Sequence, residues 1–113
     1  MALVVVDAEN VRRSLWPNLS PERLVELARR WAAAEGHDLL VVFDGSAPGE
    51  APDLVGTRGG ESADDWIARE APGLAPPWWL VTSDRELRSR AGSTAERVVG
   101  GGSFARLLTD DAG

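Results

Sequence analysis

The chain is 113 residues long, enough for one compact domain with its own core and too short for two. It has no cysteine and one histidine, which excludes disulfides, thiolate metal sites, structural zinc and iron–sulfur clusters. All 12 basic residues are arginine, so lysine-dependent chemistries (P-loop NTPases, pyridoxal Schiff bases, phosphate-sensing receiver domains) are excluded as well, and a net charge of −6 argues against a protein that simply coats nucleic acid.

Leu3–Val6 is a short apolar, β-branched run that stops at Asp7, the pattern of a strand buried on both faces. The stretch Ala2–Val6 is too short to span a membrane and follows no basic segment, so neither a signal peptide nor a membrane partner is expected, and the expected location is the cytoplasm. After a turn-rich stretch, Ser20-Pro21-Glu22 supplies an N-cap, a proline at the first helical position and a first-turn acid. Leu24, Leu27, Ala28 and Trp31 follow at helical spacing, and Gly36 closes that helix. Leu39–Phe43 reads as a second buried strand, ending at Asp44-Gly45.

Residues 46–60, rich in glycine, proline and small polar residues, read as a long loop, with Leu54–Thr57 as a short edge strand inside it. Ser62 caps a second helix with Asp65 as its capping-box partner, its apolar face being Ala63, Trp66 and Ile67 and its end Pro72-Gly73. Trp78–Thr82 is a third strong strand, and Ser83 with Glu86 caps a helix running to Gly92. Arg97–Val99 is a last strand, and Ser103 opens a terminal helix carrying Phe104, Leu107 and Leu108. Strands alternating with helices, without repeat or linker, predict a single α/β domain built on an open, mainly parallel sheet of four to five strands with helices on both faces.

In such a sheet every strand ends on one edge, where ligands bind. Three strands here run into aspartate: Val6 into Asp7, Phe43 into Asp44, and Thr82 into Asp84 after Ser83. Glu61, Asp64 and Asp65, at the start of the second helix, point to the same edge. Taken singly, Asp64, Asp65 and Asp84 are ordinary helix-start acids that complement the dipole, and Asp44 before Gly45 suits a turn. Isolated capping roles do not call for convergence on one crevice, and converging carboxylates need a positive partner. Hard divalent cations, Mg²⁺ or Mn²⁺, supply one, and such a site suits phosphoryl chemistry by metal-activated water without a histidine or cysteine nucleophile. Asn10 and Ser83 are candidates for contacting substrate or ordering the site, and Arg12, Arg13, Arg58 and Arg85 for meeting a polyanion. Of five tryptophans, Trp31, Trp66 and one of Trp78 and Trp79 read as core; Trp16, before Pro17, is the candidate for an exposed, base-stacking ring.

Four segments, in order along nearly the whole chain, resemble the NYN domains, PIN-like ribonucleases related to the YacP group. Val4-Val5-Val6-Asp7-Ala8-Glu9-Asn10 is similar to their opening D-x-x-N strand, and Val42-Phe43-Asp44-Gly45 to their second-strand signature. Glu61-Ser62-Ala63-Asp64-Asp65 resembles their E-S-A-D-D helix start, and Thr82-Ser83-Asp84 their T-S-D segment; Ala8 stands where members often have glycine. The resemblance implies a five-stranded parallel sheet in the order 3-2-1-4-5. It also implies Mg²⁺- or Mn²⁺-dependent cleavage of RNA, expected to be single-stranded, to 5′-phosphate and 3′-hydroxyl ends. By the same resemblance Asp7, Asp64 and Asp84 would be the catalytic metal ligands, with Asp65 and Glu61 supporting them. Asn10 would order Asp7 or the substrate, and Asp44 would lie at the rim.

The alternative is a non-catalytic PIN-like module that binds RNA or protein, favoured by the small size and negative charge. A haloacid-dehalogenase-type phosphatase would need aspartate where Glu9 stands, as well as a lysine. A Toprim site lacks its D-x-D, and Gly100-Gly101-Gly102 lacks dinucleotide-binding spacing and reads as a glycine-rich turn.

Overall fold

A strand with no polar face is stable only between two apolar layers, and this requirement organises the chain. The computed structural model describes residues 1–112. In order it runs β1 (Leu3–Asp7), α1 (Ala8–Arg12), α2 (Pro21–Glu35), β2 (Asp38–Phe43), β3 (Leu54–Gly56), α3 (Ala63–Glu70), β4 (Trp78–Val81), α4 (Arg85–Ala91), β5 (Arg97–Val99) and α5 (Gly101–Ala112). The five strands form one sheet in the order β3-β2-β1-β4-β5, and every pairing is parallel. β1 is central: Val5 lies beside Leu40 of β2 and Leu80 of β4.

Successive side chains of a strand point to opposite faces, and the two cores follow that period. Val4, Val6, Val41, Phe43 and Val81 pack under α1, α2 and α5, against Val11, Leu24, Ala28, Trp31, Phe104 and Leu108. Val5, Val42 and Leu80 pack on the other face against Ala63 and Ile67 of α3 and Leu87 and Ala91 of α4. Each large aliphatic side chain buried in these layers contributes about 1.5–3 kcal/mol. Among the described residues, no helix is long and apolar enough to cross a membrane.

The helix signals act as the sequence predicts at α2 and α3. The Ser20 hydroxyl accepts from Arg23 N at 3.1 Å, and Gly36 ends α2 in the left-handed region at φ 72°. Ser62 accepts from Asp65 N at 3.1 Å. Three boundaries differ. The stretch after Asp7, expected as turn, contains α1, whose five residues are too few to show a period and which is held by burial of Ala8 and Val11. α4 is capped by Asp84, not Ser83: Asp84 Oδ1 accepts from Leu87 N at 3.0 Å. α5 begins at Gly101 rather than Ser103; Gly101 N donates to Ser83 Oγ at 2.8 Å, and Asn10 packs so closely there that a Cβ on Gly101 would collide with its Oδ1. In that helix Ala105 is buried, and Leu107, expected on the apolar face, is half exposed.

Candidate functional site

The chain proceeds from β1 to one side of the sheet (β2, β3) and returns to the other (β4, β5), so strand order reverses between β1 and β4. At such a switch point the loops leave in opposite directions and open a crevice above the strand ends. Asp7 closes β1, and Thr82-Ser83-Asp84 leaves β4, at this crevice. A cleft of about 390 Å³ opens there, lined by Asp7, Asp44 and Asp64 together with Asn10, Arg13, Ser14 and Ser83.

Three elements bring those carboxylates together. Asp7 is 5% exposed and stands at the N-cap position of α1, yet makes no capping bond. Asp44 follows β2, and its Oδ1 accepts from Ala63 N at 2.5 Å, which draws the start of α3 and with it Asp64 toward β1. Asp7 and Asp64 lie close enough for a proton between them to form a hydrogen bond. Burial pushes Asp7 up to about 7, reinforced by the charges of Asp64 and Asp44 and opposed by a hydrogen bond from Thr82. Asp64 is also raised, first by burial and then by Asp84 and Asp44. Burial and the neighbouring carboxylates therefore favour the protonated form of Asp7 over the charged one.

Thr82 is the residue the sequence reading missed. Fully buried, it donates from Oγ1 to Asp7 Oδ2 at 3.0 Å and accepts on the same oxygen from Asp84 N at 3.1 Å. One hydroxyl thus sets the Asp7 carboxylate against the start of α4. The signal was a hydroxyl closing the otherwise apolar run Trp78–Val81, directly before Ser83-Asp84.

The remaining predicted residues divide. Asp44, expected at the rim, lines the cleft itself. Asp84 lies beside it, near enough to raise Asp64, with one carboxylate oxygen engaged in capping α4. Asn10 and Ser83 act on each other: Ser83 N donates to Asn10 Oδ1 at 2.9 Å, and Ser83 Oγ accepts from Gly101 N at 2.8 Å, joining α1, the β4–α4 turn and α5. Arg13 lines the cleft with a largely exposed side chain. Glu9 lines it too, paired with Arg12 at 2.5 Å.

Glu61 and Asp65 do not join this group. Glu61 is held by Arg69 through two hydrogen bonds of 3.0 and 3.1 Å, and Asp65 by Arg90 at 3.1 Å. Arg90, then Ser62, keeps the Asp65 carboxyl below its ordinary range. Successive helical residues point about 100° apart, so Asp64 and Asp65 cannot both face the cleft. Arg58 lines a separate cavity of about 550 Å³ under the 45–58 loop, and Arg85 is exposed at the start of α4. Among the described residues, no three acidic or histidine side chains stand close enough to hold an ion by themselves. The carboxylates at the cleft are Asp7 and Asp64, with Asp44 and Asp84 adjoining.

A five-stranded parallel sheet in this order, with acids at the β1/β4 edge, is a fold that the chain shares with solved structures. The crystal structure of Rae1 (YacP) from Bacillus subtilis superposes with a TM-score of 0.75 at 20% identity, covering 97% of this chain and 75% of that one. Its W164L mutant superposes with a TM-score of 0.80 at 19% identity, covering 97% and 76%. No family model matches the sequence, and no curated protein is significantly similar to it. The likeness foreshadowed by four short motifs thus extends through the whole fold.

Proposed function

We propose that this protein is a metal-dependent endoribonuclease that hydrolyses RNA phosphodiester bonds. The observation that carries the reading is the meeting of Asp7, Asp44 and Asp64 at the switch-point cleft, with Asp84 alongside and, among the described residues, no arginine in a salt bridge with any of the four. Carboxylates gathered without a paired cation favour a metal ion in place of a proton on Asp7. The pair Asp7–Asp64 suits Mg²⁺ or Mn²⁺ by its chemistry: the donors are all oxygen, and such ions commonly take one or two carboxylates and complete their shell with water and phosphate. When bound, the ion would supply an acidified water and charge neutralisation at the phosphate. The chain's own contribution is positional. Thr82 orients Asp7, Asp44 fixes the start of α3, the Asn10–Ser83 contact holds the β4–α4 turn, and Arg13 offers charge to the RNA backbone. The likeness to Rae1 supports this reading at the level of fold.

The test is cleavage of a labelled mixed-sequence single-stranded RNA in Mn²⁺ by the wild type and Asp7→Asn. Cutting by the wild type alone, abolished by EDTA, is expected. Equal cutting by both variants would sink the assignment of Asp7. As a readout independent of activity, Mn²⁺ at about a hundred times its Kd should stabilise the wild type by ~2.7 kcal/mol and leave Asp7→Asn unchanged. A second reading, a non-catalytic RNA-binding module, is favoured by the engagement of Asp84 as a helix cap. Tight RNA binding without cleavage would establish it.

A further inference from the structure

Trp16 is 90% exposed, more than any other large apolar side chain of the described residues. Looseness does not account for this, because the loop between α1 and α2 is pinned at both ends. Arg12 Nε donates to Leu19 O at 2.7 Å, Leu19 N donates to Arg12 O at 3.2 Å, and Ser14 Oγ donates to Asn10 O at 2.6 Å. Leu15 and Leu19, on either side of Trp16, pack against the core. A fully exposed indole forgoes the stabilisation that burial would bring, so nothing in folding accounts for placing it at the tip of an anchored loop.

The surroundings of Trp16 indicate what would cover it. Arg13 and Ser14, just before it, line the acidic cleft. Across the loop stands α5: a Cβ on Gly102 would lie 3.6 Å from Arg106 Nη1 and 3.9 Å from Ser14 Cβ, which places Arg106 beside Ser14. Arg106 forms no salt bridge among the described residues. Trp16 thus follows the cleft-lining Arg13 and Ser14 along one anchored loop, and Arg106 stands across that loop beside Ser14. Proteins hold single strands in this way, with charge for the backbone and a ring for a base, whereas a duplex keeps its base faces stacked internally. A protein partner would call for a wider apolar patch, and the loop around Trp16 offers the polar Arg13, Ser14 and Asn18.

We infer that Trp16 is a stacking platform for one unpaired base of RNA flanking the cleft, with Arg13 and Arg106 contacting the adjoining phosphates. The inference rests on the ribonuclease reading of the cleft. It is tested by anisotropy of a short labelled RNA, single-stranded or as a duplex, on the full chain in Ca²⁺, with cleavage followed in parallel in Mn²⁺. Trp16→Ala should weaken single-strand binding roughly 5- to 100-fold, Trp16→Phe should restore most of it, and duplex binding should not change. An abasic nucleotide scanned along the strand should weaken the wild type at one position where it leaves Trp16→Ala unaffected, a coupling that a merely structural role would not produce. If the wild type cuts RNA while Trp16→Ala binds single strands as tightly as the wild type, stacking is wrong and the cleft reading stands. If the wild type neither binds nor cuts RNA, both fall.

Discussion

The two edges of the sheet treat their polar side chains in opposite ways. At the edge where the strands begin, His37 Nδ1 accepts from Ala2 N at 3.0 Å, and its ring lies 5.5 Å from that of Trp31 and 4.5 Å from that of Trp79. Phe104 meets Trp31 edge-on, Arg97 lies 4.6 Å above Trp79, and Trp79 Nε1 donates to Glu96 at 3.0 Å. His37 Nδ1 and Trp79 Nε1 thus have neutral or charged partners close by, the buried Trp78 Nε1 at the start of β4 has none among the described residues, and the stacked rings serve cohesion. At the edge where the strands end, Asp7 and Asp64 have mainly each other, and both are raised by burial and by neighbouring charge. That arrangement costs stability in the isolated protein.

This contrast can be broken first at the aromatic edge. Trp31→Ala should destabilise the fold by about 3–5 kcal/mol in urea unfolding, with no dependence on divalent cations. At the acidic edge the effect depends on pH. Between the ordinary carboxyl value of 3.8 and about 7, folded Asp7 keeps a proton that the unfolded chain has lost. Stability of the metal-free protein should therefore fall as pH rises through that window and level off above it, by on the order of 4 kcal/mol at most. Asp7→Asn should flatten that slope and make the metal-free protein the more stable one near pH 8. A rise in stability over the same window, followed by thermal melts in EDTA, would refute the protonated Asp7–Asp64 pair.

Smaller effects sharpen the boundary of the site. Asp84→Ala removes the cap of α4 and should cost about 1 kcal/mol, whereas Asp84→Asn keeps an oxygen for Leu87 N and should cost only a few tenths. Both should lower cleavage if Asp84 acts at the cleft, so the pair separates capping from chemistry. Glu61→Gln breaks an exposed pair with Arg69 and should change stability by less than about 1 kcal/mol. Cleavage by that variant should stay within about twofold of the wild type, since Arg69 holds Glu61 away from the cleft; a large loss would return Glu61 to the site.

Much of this was legible in the sequence because it depends on nearest neighbours along the chain. A run such as Val4–Val6 is strand-like on its own, Ser20-Pro21 starts a helix by local hydrogen bonding, and Gly36 ends one because it tolerates a positive φ. Acids at strand ends become acids on one edge as soon as the strands are parallel. The sequence by itself therefore determined the parallel α/β class and the edge where the acids gather. Which acids meet at the cleft was decided by tertiary structure. Arg69 and Arg90 withdraw Glu61 and Asp65, Ala63 N draws Asp44 inward, and Thr82 orients Asp7 across 75 residues. Asn10 leaves no room for a side chain at Gly101, in a run read as a turn that forms the first turn of α5. Each of these outcomes depends on the rotation of a helix or the approach of a distant segment, and local sequence carries no record of either because both are set by how the two cores pack against the sheet.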